Sequence, residues 1–386
     1  MEFRVDRGDL VEAVAWAARA LPTRTPVPVL GGLLLEASAG RLSVSGFDFE
    51  TAARIETDAE VTAEGRVLVL GRRLLDICKV LPDGPVSCAV AGTRFTVEAG
   101  GTSFGLSTLP REEYPTPPAP PETYGTVDAA AFATAVAQVA VAAGRDDTLP
   151  VLTGVQLRLD GEEMTLSASD RYRFAVRRLG WKPETATETG EGVDALLPAR
   201  RLLEVTRSLA RCGTVRIGLD RGPGGGGPVG FEGGRMRSVV RPLDGRLPAY
   251  GKLFEMTGAS VAEVECGALT EAGMGVPPLE RSREWGRVAV VAEANSPVRL
   301  DFSAESVLLR AGYGDDVAAQ RLPAVLSGAE EVTVAFNPVY LLDALTSFEA
   351  SRLRLDLLGT GQRALLGAAD APEAHRHLLM SVKQLV

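Results

Sequence analysis

The chain has 386 residues, and its 41 Lys and Arg against 50 Asp and Glu give a formal charge of −9. With 45% apolar and 24% charged residues it is not a disordered chain, and two to four packed domains are expected at about 100–200 residues each. The acidic balance excludes indiscriminate wrapping by nucleic acid, though not a basic site enclosed within the fold.

The opening MEFRVDRGDL alternates apolar and charged side chains, and no charged segment leads into an apolar one, so no signal peptide is expected. Leu10, Val14, Ala17, Ala18 and Leu21 recur at helical spacing and predict a first helix. Gly71-Arg72-Arg73-Leu74-Leu75-Asp76 opens a second, which turns Leu74, Ile77 and Leu81 inward and sets Arg72 and Lys79 together. Six prolines in the twelve residues Pro110 to Pro121 read as an extended linker, because proline donates nothing to a ladder. The apolar stretch Phe132 to Ala143 is a predicted helix too short for a bilayer, which needs about 20 apolar residues, so no membrane span is expected.

From here the chain repeats itself. Pro150-Val151-Leu152-Thr153-Gly154-Val155-Gln156-Leu157 answers to Pro28-Val29-Leu30-Gly31-Gly32-Leu33-Leu34-Leu35 at an offset of 150 − 28 = 122, and Met164 to Asp170 answers to Leu42 to Asp48 at the same offset. Ala199-Arg200-Arg201-Leu202-Leu203-Glu204 answers to Gly71 to Asp76 at 199 − 71 = 128, and Asn337 to Asp343 holds the matching place in a third, more diverged copy. Val215 to Leu219 and Val298 to Phe302 show the strand period of two. Gly222 to Gly227 is a loop between strands, without the Lys-Ser/Thr and helix of a phosphate-binding loop. Pro242 to Tyr250 closes the second copy. Three units result, at 1–121, 122–249 and 250–386. Each is an α+β domain in which two helices cover one face of antiparallel sheet.

Arg200, Glu204, Arg207 and Arg211 fall at i, i+4, i+7 and i+11, on one side of a helix whose other side carries Leu202, Val205 and Leu209. For one helix this is a solvated face with Arg–Glu pairs. If three related units join edge to edge, corresponding faces point to a common axis and their charge adds. Screening limits attraction to about 8 Å, so such a lining can hold DNA phosphates in a negative molecule.

The three units, the PVL-x-G-x-x-L segments, the stretch SASDRYRFAV and the C-terminal HLLMSVK together resemble the bacterial sliding clamp, the beta subunit of DNA polymerase III, over essentially the whole chain. The resemblance implies a non-catalytic, cytoplasmic processivity subunit without cofactor. Two copies would close head to tail into a ring of six domains around double-stranded DNA, gripped through phosphates without regard to sequence. Implied partners are the DNA polymerase III alpha subunit, the clamp loader and other proteins carrying a clamp-binding motif. Arg24, in the loop after the first helix, and Arg72, Arg73, Arg200 and Arg207, on lining helices, would touch DNA. Phe104 and Leu106 in SFGLSTLP match the strand of the dimer contact, which meets a helix of the third unit near Pro278 and Leu279. The partner-peptide pocket would comprise Leu152, Ser169, Arg171, Tyr172, Arg173, Phe174, Pro248, Lys252, Leu253, Leu378, Leu379, Met380, Ser381, Val382 and Lys383.

The family usually ends near Met-Pro-x-Arg, whereas this chain reads Met380-Ser381-Val382-Lys383. Serine adds a backbone N–H and frees φ, and lysine loses the planar fork of arginine. A variant or second-copy clamp is therefore expected, whose pocket keeps polymerase partners and rejects a clamp-targeting peptide antibiotic; the alanine, glycine and arginine bias resembles that of a GC-rich actinobacterial source.

Other chemistry finds little support. Cys78, Cys88, Cys212 and Cys266 lie far apart and read as small core residues. His375 and His377 are expected as a surface pair, since no further ligand completes a metal site. Ser169-Asp170 lacks a nucleophile elbow, and Asp170, like Asp48, reads as a turn residue. The alternatives are an enzyme with loop-borne carboxylates and a repeat scaffold that binds proteins.

Overall fold

The computed structural model describes residues 1–22, 27–184, 192–220, 226–273, 297–313 and 316–383. Six α-helices lie among them: α1 (Arg7–Ala17), α2 (Gly71–Val80), α3 (Ala129–Ala140), α4 (Ala199–Leu209), α5 (Cys266–Gly273) and α6 (Pro338–Thr346). Two of their starts show side-chain caps. The Asp6 side chain accepts from Gly8 N ahead of α1, and Asn337 accepts from Val339 N and Tyr340 N ahead of α6, whose first residue is Pro338. None of the helices is long and apolar enough to cross a membrane.

By packing, the chain divides into two compact units, and the division does not follow the repeats. The first comprises Met1–Ala133, Trp181–Ala186 and Arg201–Pro242. It holds a five-stranded sheet in the order Glu60–Ala63, Glu2–Asp6, Pro85–Ala91, Arg94–Ala99, Thr102–Ser107. Its second, nine-stranded sheet runs Lys182–Pro183, Thr123–Asp128, Thr214–Leu219, Val229–Gly233, Met236–Val240, Thr51–Asp58, Arg41–Phe47, Gly32–Ser38, Gly65–Leu70. The seam is Met236–Val240 against Thr51–Asp58, with Met236 opposite Ile55 and Val240 opposite Thr51. First-repeat and second-repeat strands thus share one sheet.

The second unit comprises Thr134–Gly180, Thr187–Arg200 and Leu243–Val386. Its twelve strands run Val193–Pro198, Gly154–Asp160, Glu163–Ser169, Arg173–Gly180, His375–Met380, Arg363–Ala368, Arg352–Leu357, Ser260–Glu265, Asp316–Ser327, Ser306–Tyr313, Val298–Ser303, Glu331–Phe336. Here second-repeat and third-repeat strands meet at Arg173 opposite Leu379 and Arg177 opposite His375. One core, including Leu300, Phe302, Leu309, Phe336, Leu341 and Leu345, lies between this sheet and α5 and α6.

The histidine expectation is overturned. His375 is 3% exposed and His377 is fully buried; Ser347 and Phe348, just past α6, cover His375, whose ring lies 6.4 Å from that of His377. His375 Nε2 lies 2.8 Å from Ser347 Oγ and Nδ1 lies 3.2 Å from Val176 O. Burial drives the His375 pKa down to about 4 against the pull of the Val176 carbonyl, and holds His377 well below the usual imidazole range. Cys78, Cys88 and Cys266 are buried and Cys212 is half-buried. Burial pushes the Cys78 and Cys88 thiols up to about 12, so they are inert core groups.

Candidate functional site

The cationic helices are α2 and α4. On α2, Arg72, Arg73 and Lys79 are exposed while Leu74 and Cys78 are buried and Ile77 is half-buried. Arg72 Nη2 donates to Pro22 O at 2.9 Å, and Lys79 pairs with Asp76 at 2.9 Å. On α4, Arg200 and Arg207 are exposed while Leu202, Val205 and Leu209 are buried. The third copy breaks this pattern. On α6, Val339 and Tyr340 stand where α2 has Arg72 and Arg73, and neither α5 nor α6 contains a Lys or Arg. Among the described helices, positive charge therefore does not add across all three repeats. Arg24 lies outside the described residues.

Two repeat-equivalent turns present carboxylates to these helices. Asp48 Oδ1 accepts from Glu50 N at 3.1 Å and Thr51 N at 2.7 Å, and Asp170 Oδ1 accepts from Tyr172 N at 3.0 Å and Arg173 N at 3.1 Å. Both Asp residues thus take the expected turn role. Each next residue, Phe49 (φ 72°) and Arg171 (φ 82°), holds a left-handed backbone that costs a side-chain-bearing residue about 1–3 kcal/mol. Asp48 Oδ2 pairs with Arg201 of α4 at 2.9 Å. Asp170 Oδ2 pairs with Arg173 Nε at 2.9 Å, and Arg173 Nη1 reaches Asp343 of α6 at 2.6 Å. The Arg173 guanidinium also stacks 4.4 Å over the Tyr340 ring.

Around this buried arginine lies a groove of about 340 Å³ lined by Leu149, Leu152, Arg171, Tyr172, Val339 and Tyr340, among others. Tyr172 and Tyr340 stack with centroids 6.2 Å apart. Three large apolar side chains stand exposed in it: Leu149 (37%), Tyr172 (54%) and Val339 (44%). Leu152 also packs against a neighbouring cluster of Phe174, Val176, Leu196, Leu247, Phe254, Leu365 and Leu378. In that cluster Phe174 meets Phe254 edge-on at 5.9 Å and Tyr250 at 5.5 Å. Arg363 Nη1 donates to Lys252 O (3.1 Å) and Leu253 O (3.0 Å), pinning the segment Gly251–Phe254 that bounds the cluster. An apolar cleft edged by a few fixed polar groups suits the anchors of a short peptide.

The residues expected in the pocket divide accordingly. Leu152, Arg171, Tyr172 and Arg173 line the groove, Phe174 and Leu378 belong to the cluster, and Leu253 (37% exposed) and Met380 (38%) are exposed outside the groove lining. Ser169 is buried, with its hydroxyl donating to Arg173 O at 2.8 Å. Pro248 and Lys252 are exposed on the connecting segment, Val382 is half-buried and Lys383 exposed. Leu379 does not join them. Alternate residues of a strand face opposite ways, and Leu379 belongs to the third-repeat core. Phe104 and Leu106 are half-buried on the edge strand Thr102–Ser107, whereas Pro278 and Leu279 lie outside the described residues. Sequence reading missed Val339, Tyr340 and Tyr250. The signal for the first two was an apolar pair at helix positions that are Arg-Arg in both other copies.

Comparison with known proteins agrees with this architecture. Family models of the DNA polymerase III beta subunit match residues 1–118 (N-terminal domain), 126–249 (central domain) and 282–382 (C-terminal domain). The chain is 45% identical over 389 residues to the beta sliding clamp of Streptomyces coelicolor, covering 99% of both chains. It is 42% identical over 389 residues to the beta sliding clamp homolog GriR of Streptomyces muensis, again covering 99% of both. Among solved structures it shares the fold of a Pseudomonas aeruginosa sliding clamp bound to griselimycin, with a TM-score of 0.88 at 23% identity over 100% of both chains. A Bacillus subtilis clamp gives 0.87 at 23% identity, over 100% of this chain and 99% of that one. Three α+β repeats sharing antiparallel sheets, matched along their length by relatives of this identity, show that the chain belongs to the beta sliding clamps, the non-catalytic processivity subunits of DNA polymerase III.

Proposed function

We propose that two copies of this chain close head to tail around double-stranded DNA in the cytoplasm and tether the DNA polymerase III alpha subunit. The clamp loader and other proteins with a clamp-binding motif would share the same groove. The supporting observation is the rule by which the repeats share sheets. In each unit, the strand after the Asp turn pairs with the last strand of the next repeat: Thr51–Asp58 with Met236–Val240, and Arg173–Gly180 with His375–Met380. Thr102–Ser107, the last strand of the first repeat, is a sheet edge. Asp316–Ser327 holds the third repeat's place for the other partner. Only Ala324–Ser327 of it pairs with Val261–Val264, which leaves the rest of that edge without a ladder among the described residues. One copy's Thr102–Ser107, carrying Phe104 and Leu106, against another copy's Asp316–Ser327 continues both sheets by the same rule. Applied twice, this heterologous contact closes a ring.

Arg24, Arg72, Arg73, Arg200 and Arg207 would face the DNA phosphates, which allows sliding because those contacts carry no sequence information. The test is retention on a nicked circle after loading. The expected result is a complex that survives on the circle and dissociates on linearisation, from a particle of twice the 40.7 kDa chain mass. A monomer at working concentration would refute the ring.

The same proposal includes an altered groove, supported by Ser381 and Lys383 standing where the family usually has proline and arginine. The chain would keep a linear polymerase peptide and reject griselimycin, the ligand of the Pseudomonas aeruginosa structure. Binding of both ligands, compared with the Streptomyces coelicolor clamp, tests it. Equal weakening of the two would remove this part of the reading.

A further inference from the structure

The proline-rich segment 110–121 lies across the nine-stranded sheet of the first unit and is fixed at both ends. Near its start Leu109 N donates to Leu68 O at 2.8 Å, and Tyr114 packs against Phe47, Ala52 and Val239. At its end a Cβ on Gly218 would fall 2.5 Å from Pro121 O and one on Gly230 2.9 Å from Pro121 Cδ, so these two glycines, direct partners across neighbouring strands, let the segment lie on the sheet. Between these points runs a groove of about 510 Å³, floored by Leu34, Ala52 and Val239 and walled by the four prolines within 115–120. Ala52 faces Val239 as Phe174 faces Leu378, at the repeat offset of 174 − 52 = 122. In the second unit the Phe174 ring packs with Tyr250 and Phe254. The Ala52 methyl leaves the corresponding volume to the groove.

The next pair along the seam is Arg54 directly opposite Arg237. Trp16 Nε1 fixes both backbones by donating to Arg54 O at 3.0 Å and Arg237 O at 3.3 Å. With Arg66 and Arg111 the described lining holds four arginines and one carboxylate, Glu36, a balance of 4 − 1 = +3 in a chain of −9. The four side chains are 48–58% exposed. They pair with Glu56 (Arg54, 3.0 Å), Glu36 (Arg66, 2.5 Å), Glu112 (Arg111, 3.5 Å) and Glu232 (Arg237, 3.8 Å). A guanidinium has five N–H donors and a bidentate carboxylate takes two, so donors remain for a ligand. Like charges directly opposite across strands repel, and a carboxylate between Arg54 and Arg237 relieves that repulsion.

We infer that this groove is a docking site, distinct from the groove of the second unit, for an acidic linear segment of another protein that lays one bulky apolar side chain on Ala52 and carboxylates against Arg54 and Arg237. Arginine clusters recur as holders of acidic segments, and an apolar floor gives such a segment its anchor. The wall is fixed before binding, which lowers the ordering cost. Single-stranded nucleic acid would use the same charge but stacks its bases on free aromatic faces. The aromatic residue of this lining, Tyr114, is instead packed against Phe47, Ala52 and Val239. The site depends neither on ring closure nor on the altered groove.

The experiment titrates the full-length chain at low salt with the end-blocked peptide Asp-Glu-Phe-Asp-Glu, read by calorimetry. Two control peptides carry Gly for Phe, or Lys for every acid. The parent should bind the first saturably and one to one, the glycine peptide about tenfold or more weakly, and the lysine peptide not at all. Arg54→Gln combined with Arg237→Gln should weaken the first peptide about tenfold or more. Ala52→Phe, which brings in the ring that the next repeat has at Phe174, should abolish saturable binding. Should Ala52→Phe fail to fold, the arginine pair decides, since its side chains are 49% and 48% exposed and their replacement spares the core. No saturable binding by the parent, or binding that the arginine pair leaves unchanged, overturns the site. Equal affinity for the glycine peptide marks general charge attraction and overturns it too. A short oligothymidine that binds more tightly than the peptide, and is lost in the arginine pair, would assign the groove to nucleic acid and overturn the acidic-peptide assignment.

Discussion

Asp48 and Asp170 hold the same turn in consecutive repeats, 170 − 48 = 122 residues apart, and each gives one carboxylate oxygen to its own turn and the other to an arginine. The arginine differs. For Asp48 it is Arg201, supplied by α4; for Asp170 it is Arg173 of the same turn, which passes the contact on to Asp343 of α6. The junction keeps its geometry while its charges are rearranged: where the second repeat's helix brings a cation, the third brings an anion and the turn supplies the cation.

Arg173 is therefore the keystone of the second unit's seam. Its side chain is 5% exposed, and Asp170 and Asp343 are 12% and 28% exposed. Arg173→Ala leaves two carboxylates facing each other and should cost about 3 kcal/mol, read as a lower urea midpoint. Arg173→Lys keeps the charge but loses the fork and the Tyr340 stacking, so a smaller loss is expected.

The buried histidines should make the fold acid-sensitive. Both have folded pKa values below the ordinary value near 6.5, His375 at about 4 and His377 well below its usual range. As pH falls from 6.5 towards 4 the unfolded chain takes up protons that the folded chain refuses, so stability present above 6.5 declines through that window. The slope is about 1.4 kcal/mol per pH unit for each histidine. Urea midpoints measured from neutral to mildly acidic pH should show it, and His377→Leu should remove one histidine's share. A midpoint flat across the window would refute the burial.

Cation placement predicts unequal contributions to DNA binding. Replacing both Arg72 and Arg207 by Ala should reduce the dependence of log affinity on log salt by about 0.9 for each phosphate that is no longer neutralised. Thr346→Ala on the cation-free α6 should leave it unchanged. Equilibrium binding to duplex DNA over a salt series checks both.

Leu106 tests the subunit contact. A charged residue on an edge strand discourages pairing, so Leu106→Lys should move the sedimentation distribution from dimer to the 40.7 kDa monomer while circular dichroism stays parental.

Much of this was legible in the sequence because it is local. The repeats survive as fixed offsets, the faces of α2 and α4 follow from 3.6-residue spacing, and the turn role of Asp48 and Asp170 needs only the chain a few residues on. Even the misplacement of Leu379 was avoidable, since a period of two already separates it from Leu378. What only the tertiary structure decided is which distant segments meet: the sharing of sheets between consecutive repeats, the covering of His375 by Ser347 and Phe348, and the bonding of Ser381 to the Gly359–Gln362 turn. Such pairings are chosen by packing and hydrogen-bond satisfaction between segments far apart in the chain, and no spacing within either segment records its partner.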